Sequence, residues 1–421
     1  MRVLWFSNTP ANAENFLGEK ITGGGWLKSL DYNLQGEVDL HVAFENNKVI
    51  DKFTYLKTTY HPIYKKSLGL DILRRVLFNN IVMDDHLADY LKIIDDVKPD
   101  IIHVHGTENP FSCIIPHIKI PVVVSIQGIL TVYHHKYFSG IESRYSRNRA
   151  VGLSLMNCLL NKSFYKDFLR LGNMASRERE NLRHIRYIFG RTAWDRRVVA
   201  SLAENFKYFR SEEILRESFY SNVWDGPALS GPLVLHSTTG NNFYKGLETI
   251  VEAALILKNR NISFIWNIAG LSVKSSIVKV VEKKLKMKLL DFKELNFLGI
   301  MDEEELVRSL KRANVYVMAS HIENSPNNLC EAMILGLPCV ATFAGGTNSI
   351  LTDGIEGILV QDGDPWSVAG AIIEMFENYD KAKGMGVSAR NRARNRHNKN
   401  IVITELVKSY SEIIEIEKNV Y

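Results

Sequence analysis

Short apolar runs, each followed by a polar or glycine-containing loop and then a stretch of helical period, recur along this chain. In the first half the runs are Val3 to Ser7, Leu40 to Phe44, Ile101 to Val104, Pro121 to Ile126 and Arg186 to Phe189. In the second half they are Leu233 to Ser237, Ile262 to Ala269, Asn296 to Leu298, Val315 to Ala319, Pro338 to Thr342 and Ile358 to Val360. Uninterrupted apolar strands separated by helices predict parallel sheets covered on both faces. Helical patterning runs over Trp26 to Leu34, Ile72 to Ile94, Gly246 to about Lys258, Ser272 to Lys288, Asp302 to Arg312 and Val402 to Ile414. The sharpest interruption is Asp225 to Pro232, where Gly226, Pro227, Gly231 and Pro232 prevent any regular element. The pattern predicts two α/β domains, 1–224 and 233–398, joined by a linker at 225–232 and followed by a helix at 399–421.

A length of 421 residues suits two such domains, and 46% hydrophobic with 24% charged residues is the composition of a globular chain. Cys113, Cys158, Cys330 and Cys339 are scattered without a C-x-x-C pair, and read as reduced packing thiols. No apolar run reaches the roughly 18 residues of a membrane span. MRVLWFSN reads as a first strand and not as a secretion signal, so the expected location is the cytoplasm. The net charge of +5 is unevenly spread: Tyr133 to Arg197 holds 14 Lys/Arg against 5 Asp/Glu. Aromatic and basic residues mixed at helical spacing there suit an ordinary solvated helix face or an anionic membrane surface better than nucleic acid. A peripheral place on the inner face of the plasma membrane is the further expectation.

The densest chemistry lies between Ala319 and Gly346. Ser325-Pro326 reads as an N-cap followed by proline at the first helical position. That reading turns the amides of Asn327 and Asn328 toward whatever occupies the preceding loop, at the carboxyl end of a strand, where open α/β sheets bind anions. Glu323 in the loop and Glu331 on the helix would repel an anion unless they met neutral hydroxyls of the same ligand. A sugar nucleotide offers both chemistries. Lys245 at the start of a helix opposes the dipole unless an anion is present, and so is a candidate diphosphate ligand. Elsewhere, Gly23, Gly24 and Gly25 follow the first strand as a possible phosphate cradle, without a G-x-G-x-x-G. His103 and His105 share one strand face, but a third metal ligand is lacking. Thr192 with Asp195 approximates a capping box beside Arg191.

E-N-S-P-N-N-L-C-E-A-M followed by G-L-P-C-V resembles the E-x7-E signature of the retaining glycosyltransferase family with the GT-B fold, which includes bacterial capsule and exopolysaccharide enzymes. The resemblance implies two Rossmann-like domains facing each other across a deep cleft, with the last helix crossing back to the first domain. It implies that Glu323 contacts the transferred hexose, Glu331 the ribose and Lys245 the diphosphate, with Glu323 and Lys245 carrying catalysis. Ser325, Asn327, Asn328, Leu329, Gly345, Gly346, Thr347, Gly240 and Asn241 fall on the donor side, and Gly23, Gly24, Gly25, His105, Gln127 and Arg191 on the sugar or acceptor side. Two positions depart from the pattern: Gln127 stands where the family commonly has histidine, and Gly240 where it has an arginine. The implied co-substrate is a UDP- or GDP-linked sugar, with no cofactor or metal, and the acceptor is a glycan or a polyprenyl-diphosphate-linked glycan. Two other readings use the same residues, a nucleotide-sugar 2-epimerase and a non-catalytic sugar-nucleotide binder.

Overall fold

In a computed structural model the protein is described at residues 1–18, 25–65, 86–141 and 164–419. It forms two compact units. One comprises Met1–His134, Lys166–Ile214 and His397–Tyr421, the other His135–Tyr165 and Leu215–Arg396. The sequence pattern places the boundary at the Gly/Pro-rich linker, whereas the division falls after Ile214. The reason is packing. Phe219 is fully buried in the second unit's core, and Trp224 donates its indole N–H to the Ala313 carbonyl at 2.7 Å.

The first unit holds strands β1 (Arg2–Ser7), β2 (Asp39–Asn46), β3 (Phe53–Tyr55), β4 (Thr58–Tyr64), β5 (Ile101–His105), β6 (Val122–Ser125), β7 (Tyr187–Gly190) and β8 (Lys207–Arg210). They hydrogen-bond in the order β3-β4-β2-β1-β5-β6-β7-β8, and only β3, against β4, pairs antiparallel. Val3 to Ser7 and Ile101 to His105 are buried along their whole length, as strands covered on both faces must be. The forecast helix Ile72 to Ile94 lies largely outside the described residues, and its described end continues as Leu87–Val97. Strands β3, β4 and β8 and the helix Tyr379–Arg396 carry weak apolar periodicity and were not expected from the pattern.

The final helix, Lys399–Lys418, completes this first unit. Its Tyr410 is fully buried and meets Trp5 Nε1 at 3.1 Å and His103 Nδ1 at 2.6 Å. Burial lowers the His103 pKa well below its ordinary value, so the ring is neutral with one donor and one acceptor nitrogen. Trp5 donates to the Tyr410 oxygen, and the neutral His103 ring bridges the Tyr410 hydroxyl at Nδ1 and Ser125 Oγ, 2.6 Å from Nε2. Glu417, one helix turn beyond Ile413, accepts from the Tyr187 hydroxyl at 2.6 Å and pairs with Arg186 at 2.9 Å.

The second unit holds β9 (Leu233–Thr238), β10 (Phe264–Ala269), β11 (Leu295–Gly299), β12 (Val315–Met318), β13 (Cys339–Thr342) and β14 (Ile358–Val360), all parallel, in the order β11-β10-β9-β12-β13-β14. From β9 the order runs outward through β10 and β11 on one side and from β12 on the other. The crevice at the carboxyl ends of β9 and β12 is therefore this unit's topological switch point, the place where open parallel sheets take ligands. In the first unit the reversal lies between β1 and β5.

Replacing Tyr410 with phenylalanine removes the central hydroxyl of a buried chain and leaves the Trp5 and His103 nitrogens unpaired. Chemical denaturation should show Tyr410→Phe to be less stable by about 1–3 kcal/mol. An unchanged midpoint would mean that the chain of hydrogen bonds contributes nothing.

Candidate active site

Two loops meet at the switch point of the second unit. After β9 the chain makes a single 3-10 turn, Phe243–Lys245, and Gly246 then opens the helix Leu247–Asn259. After β12 it makes an irregular loop and enters the helix Asn327–Leu335. Gly246 has φ +68°, and a Cβ there would collide with the Ala319 carbonyl oxygen. Only glycine allows both the backbone angle and the approach. The amide of His321 donates to the Tyr244 carbonyl at 2.8 Å, so the two loops are fastened backbone to backbone.

This fastening brings Lys245 and Glu323 together, 78 residues apart in sequence. Lys245 Nζ lies 2.6 Å from Glu323 Oε1, which also accepts from Ser320 Oγ at 2.8 Å. Burial by itself would lower the Lys245 pKa, but the facing carboxylate outweighs it and the ammonium is held above its ordinary value. Glu323 is 5% exposed, and such a carboxylate is stable only when paired. Gly345, at φ +56°, sits where a Cβ would strike the Glu323 carbonyl. Gly346 donates its amide to that carbonyl at 2.9 Å.

Several donor-side expectations change in detail. The Gly346 amide serves the Glu323 carbonyl and the Thr347 amide serves Ala344 at 3.2 Å, so these two N–H groups hold the loop together and do not face a ligand. Pro326, not Ser325, occupies the N-cap position, because its extended backbone (φ −69°, ψ 112°) makes Asn327 the first helical residue. Ser325 Oγ is 3.4 Å from an Arg396 nitrogen. The amides of Asn327 and Asn328 meet no acceptor among the described residues, as the first turn of an uncapped helix requires. The Asn328 side chain is engaged at both ends: it donates to the Thr238 carbonyl at 2.9 Å and accepts from the Leu329 amide at 3.0 Å. Leu329 is fully buried in the core. Asn241 accepts from the Ile277 amide at 2.9 Å, capping the helix Ser276–Leu285, while Gly240 borders open space.

Glu331 is also buried, and both its oxygens are taken by one side chain. Arg216 Nε and Nη2 each donate to a Glu331 oxygen at 2.7 Å. Sequence reasoning missed Arg216, which is 115 residues away and belongs to no local motif. Burial raises the Glu331 pKa, with Arg216 opposing the rise.

A second buried charge group lies behind the Lys245–Glu323 pair. His321 Nε2 is 2.5 Å from Glu248 Oε1, and His321 Nδ1 is 3.6 Å from Asp362 Oδ2. Burial opposes charge on the ring, but Asp362 and Glu248 prevail and lift its pKa to about 9. Lys136 lies 3.9 Å from Asp362. No sequence motif signals this cluster, whose members come from four segments.

In the first unit, His105 is buried, and neither ring nitrogen has a partner among the described residues. Burial, with Arg191 nearby, lowers its pKa to about 3, so the ring is neutral. It lines a small cavity with Trp26, His103, Gln127, Arg191 and Glu213. Gln127 accepts from Arg191 Nη2 at 3.2 Å, and Arg191 also pairs with Glu213 and donates to the Ile126 carbonyl at 2.8 Å. Arg191 is thus 5% exposed and organises the ends of β6 and β7. Thr192 and Asp195 form the expected capping box. Gly25 begins the helix Gly25–Leu34, while Gly23 and Gly24 lie outside the described residues.

Of the basic stretch 133–197, residues 142–163 lie outside the described residues. Among the rest, Arg177 donates to the Glu108 carbonyl, Arg186 pairs with Glu417 and Arg191 is interior, so part of the positive charge is used within the first unit. No described helix is long and apolar enough to cross a membrane. No three His, Cys, Asp or Glu side chains among the described residues are arranged to hold a metal ion.

Two open sheets, parallel except for β3, with the last helix returned to the first unit, define the GT-B class of folds. Residues 233–392, within the second unit, match the family described as glycosyl transferases group 1. The chain is 26% identical over 197 residues to the amylovoran biosynthesis glycosyltransferase AmsK of Erwinia amylovora, covering 45% of this chain and 46% of that protein. It is 22% identical over 175 residues to the capsular polysaccharide biosynthesis glycosyltransferase CapM of Staphylococcus aureus, covering 41% and 44%. Each match thus spans under half of the relative's length. The crystal structure of Anabaena HepE in complex with UDP and glucose superposes with a TM-score of 0.61 at 13% identity, over 98% of this chain and 99% of that one.

The raised His321 pKa makes stability depend on alkaline pH. The ring's ordinary value is 6.5 and its folded value about 9, so its contribution is complete below pH 6.5 and is lost as pH rises through 9. Thermal melts from pH 6 to 10 should lose on the order of 3 kcal/mol across that window. His321→Gln should remove that part of the slope, and an identical slope in the variant would rule out His321 as its source.

Proposed function

We propose that the chain is a retaining glycosyltransferase. It transfers a hexose-type sugar from a UDP- or GDP-linked donor to a hydroxyl of a glycan or polyprenyl-diphosphate-linked acceptor, on the cytoplasmic side of surface-polysaccharide assembly and without a metal ion. One observation carries this reading: an ammonium, two unpartnered helix amides and a buried carboxylate converge at the ligand-binding end of the second sheet. CapM, by its name a capsular polysaccharide enzyme, and HepE, crystallised with UDP and glucose, support the product class and the donor class.

Transfer breaks the bond between the anomeric carbon and the diphosphate oxygen, and the electron pair leaves with the phosphate. Positive charge grows on the sugar ring and negative charge on the leaving group. Fixed donors aimed at the developing charge lower the barrier most. Lys245 and the amides of Asn327 and Asn328 serve the phosphate. Glu323, paired with Lys245, accepts from hexose hydroxyls and faces the ring's positive charge. Charge neutralisation by an ammonium and a helix terminus takes the place a divalent cation would fill.

With donor and acceptor supplied, Glu323→Ala should lower kcat/KM by on the order of 10²-fold or more, and Lys245→Met by a similar factor. Wild-type kinetics in both variants would reject the assignment. Proton NMR of the product should show the donor's anomeric configuration retained, and turnover should survive EDTA. An inverted product would refute retention, and activity restored only by a divalent ion would refute metal independence.

A further inference from the structure

We infer that His321 is a positioning residue: its ring, clasped between Glu248 and Asp362, holds the turn that bears Lys245 against the loop that bears Glu323. The inference rests on the proposed function, in which Lys245 and Glu323 act on the donor.

Three chain segments supply the clasp, each leaving the carboxyl end of a parallel strand. Glu248 follows β9 and sits in the first turn of the helix Leu247–Asn259, three residues beyond Lys245. His321 follows β12, two residues before Glu323, and Asp362 follows β14. The His321 side chain is 3% exposed, with Nε2 2.5 Å from Glu248 Oε1 and Nδ1 3.6 Å from Asp362 Oδ2. Glu248 Oε1 also accepts from the Thr249 hydroxyl at 3.2 Å, and Lys136 faces Asp362 at 3.9 Å. The backbone closes tightly over this cluster. A Cβ at Gly140, where φ is +79°, would collide with the Glu248 carboxylate and crowd His321 Nε2. His321 also reaches the turn through its main chain, because its amide donates to the Tyr244 carbonyl at 2.8 Å. It thus grips the turn on both sides of Lys245, one residue before it through the backbone and three residues after it through the ring.

The clasp needs a proton. A charged imidazole donates at both nitrogens, whereas a neutral one has a single N–H and turns a lone pair on one of the two acids. Burial opposes the charge, but Asp362 and Glu248 prevail and lift the ring's pKa to about 9. His321 in turn holds the Asp362 carboxyl below its ordinary value. Loss of the proton leaves two carboxylates repelling each other across a neutral ring, so the clasp slackens as pH rises through about 9.

Lys245 itself reports the clasp. Its side chain is 25% exposed, within reach of a small acylating reagent, and only the neutral amine reacts. Acetic anhydride labelling of the full chain from pH 7 to 10, read by peptide mass spectrometry against the other lysines, should find Lys245 protected until the pH passes 9. His321→Gln should label faster at pH 7 by about tenfold, the gain in free amine from one pKa unit. Asp362→Asn keeps the ring but removes one of the carboxylates that hold its proton, and should shift the loss of protection to lower pH. Circular dichroism on the same samples gives the folded fraction. Equal Lys245 labelling in wild type and His321→Gln overturns the inference. So does a wild-type transition in Asp362→Asn, or a loss of protection that only tracks unfolding, the pattern of a merely structural residue. If His321→Gln does not fold, Asp362→Asn decides. With donor and acceptor, His321→Gln should lower kcat by about tenfold and leave KM nearly unchanged, and a normal kcat also overturns the inference. The labelling uses no substrate, so a chain that transfers no sugar refutes the proposed function while the clasp stands or falls on Lys245.

Discussion

A carboxylate and an ammonium 2.6 Å apart, in a place with little water, form the contact around which the second unit is arranged. Removal from water is costly for an ion, and the carboxylate facing Lys245 offsets that cost. The pair forms because two backbones touch. Gly246 lets the turn after β9 press against Ala319, and Gly345 lets the turn after β13 press against Glu323. Each close approach excludes a side chain, so the loop geometry is determined by the main chain before any polar contact forms. The facing carboxylate holds the Lys245 ammonium above its ordinary value without any ligand.

Most of the fold could be read from the sequence because its signals are local. The apolar runs at Val3 to Ser7, Leu233 to Ser237 and Val315 to Ala319 coincide with strands because fully buried parallel strands tolerate no polar alternation. The capping box at Thr192 and Asp195 was equally legible, since its partners are three residues apart. The free amides of Asn327 and Asn328 could be expected for the same reason: a proline-led helix leaves its first-turn N–H groups without helical partners. Where the reading slipped, the error was one of detail within a motif. Ser325 was expected to cap the helix, but Pro326 has the extended backbone that ends the loop. Gly346 was expected to offer its amide outward, but the carbonyl of Glu323 lies within reach.

What the sequence hid is long-range. Arg216 finds Glu331 across 115 residues, and the His321 cluster draws Glu248, Asp362 and Lys136 from separate segments. Such contacts leave no spacing signature, because the fold and not the local chain sets the distance. Short, partly exposed strands such as β3 and β8 were missed for another reason: with mixed burial they show neither continuous apolarity nor clean alternation. The boundary between the units was misjudged because glycine and proline mark where the chain bends, whereas the division follows where Phe219 and Trp224 are packed.

The return of the last helix to the first unit sets the order in which the protein can be completed. Trp5 and His103 leave the ribosome well before Tyr410, whose hydroxyl joins them. The first sheet must therefore wait, with its Trp–His polar chain unfinished, while some 300 further residues are translated, a span that includes the bulk of the second unit. Domains of a nascent chain usually close in the order of their synthesis. Here the unit begun first is finished last, and a stalled or truncated translation product would expose the interior of the amino-terminal sheet to the chaperone machinery.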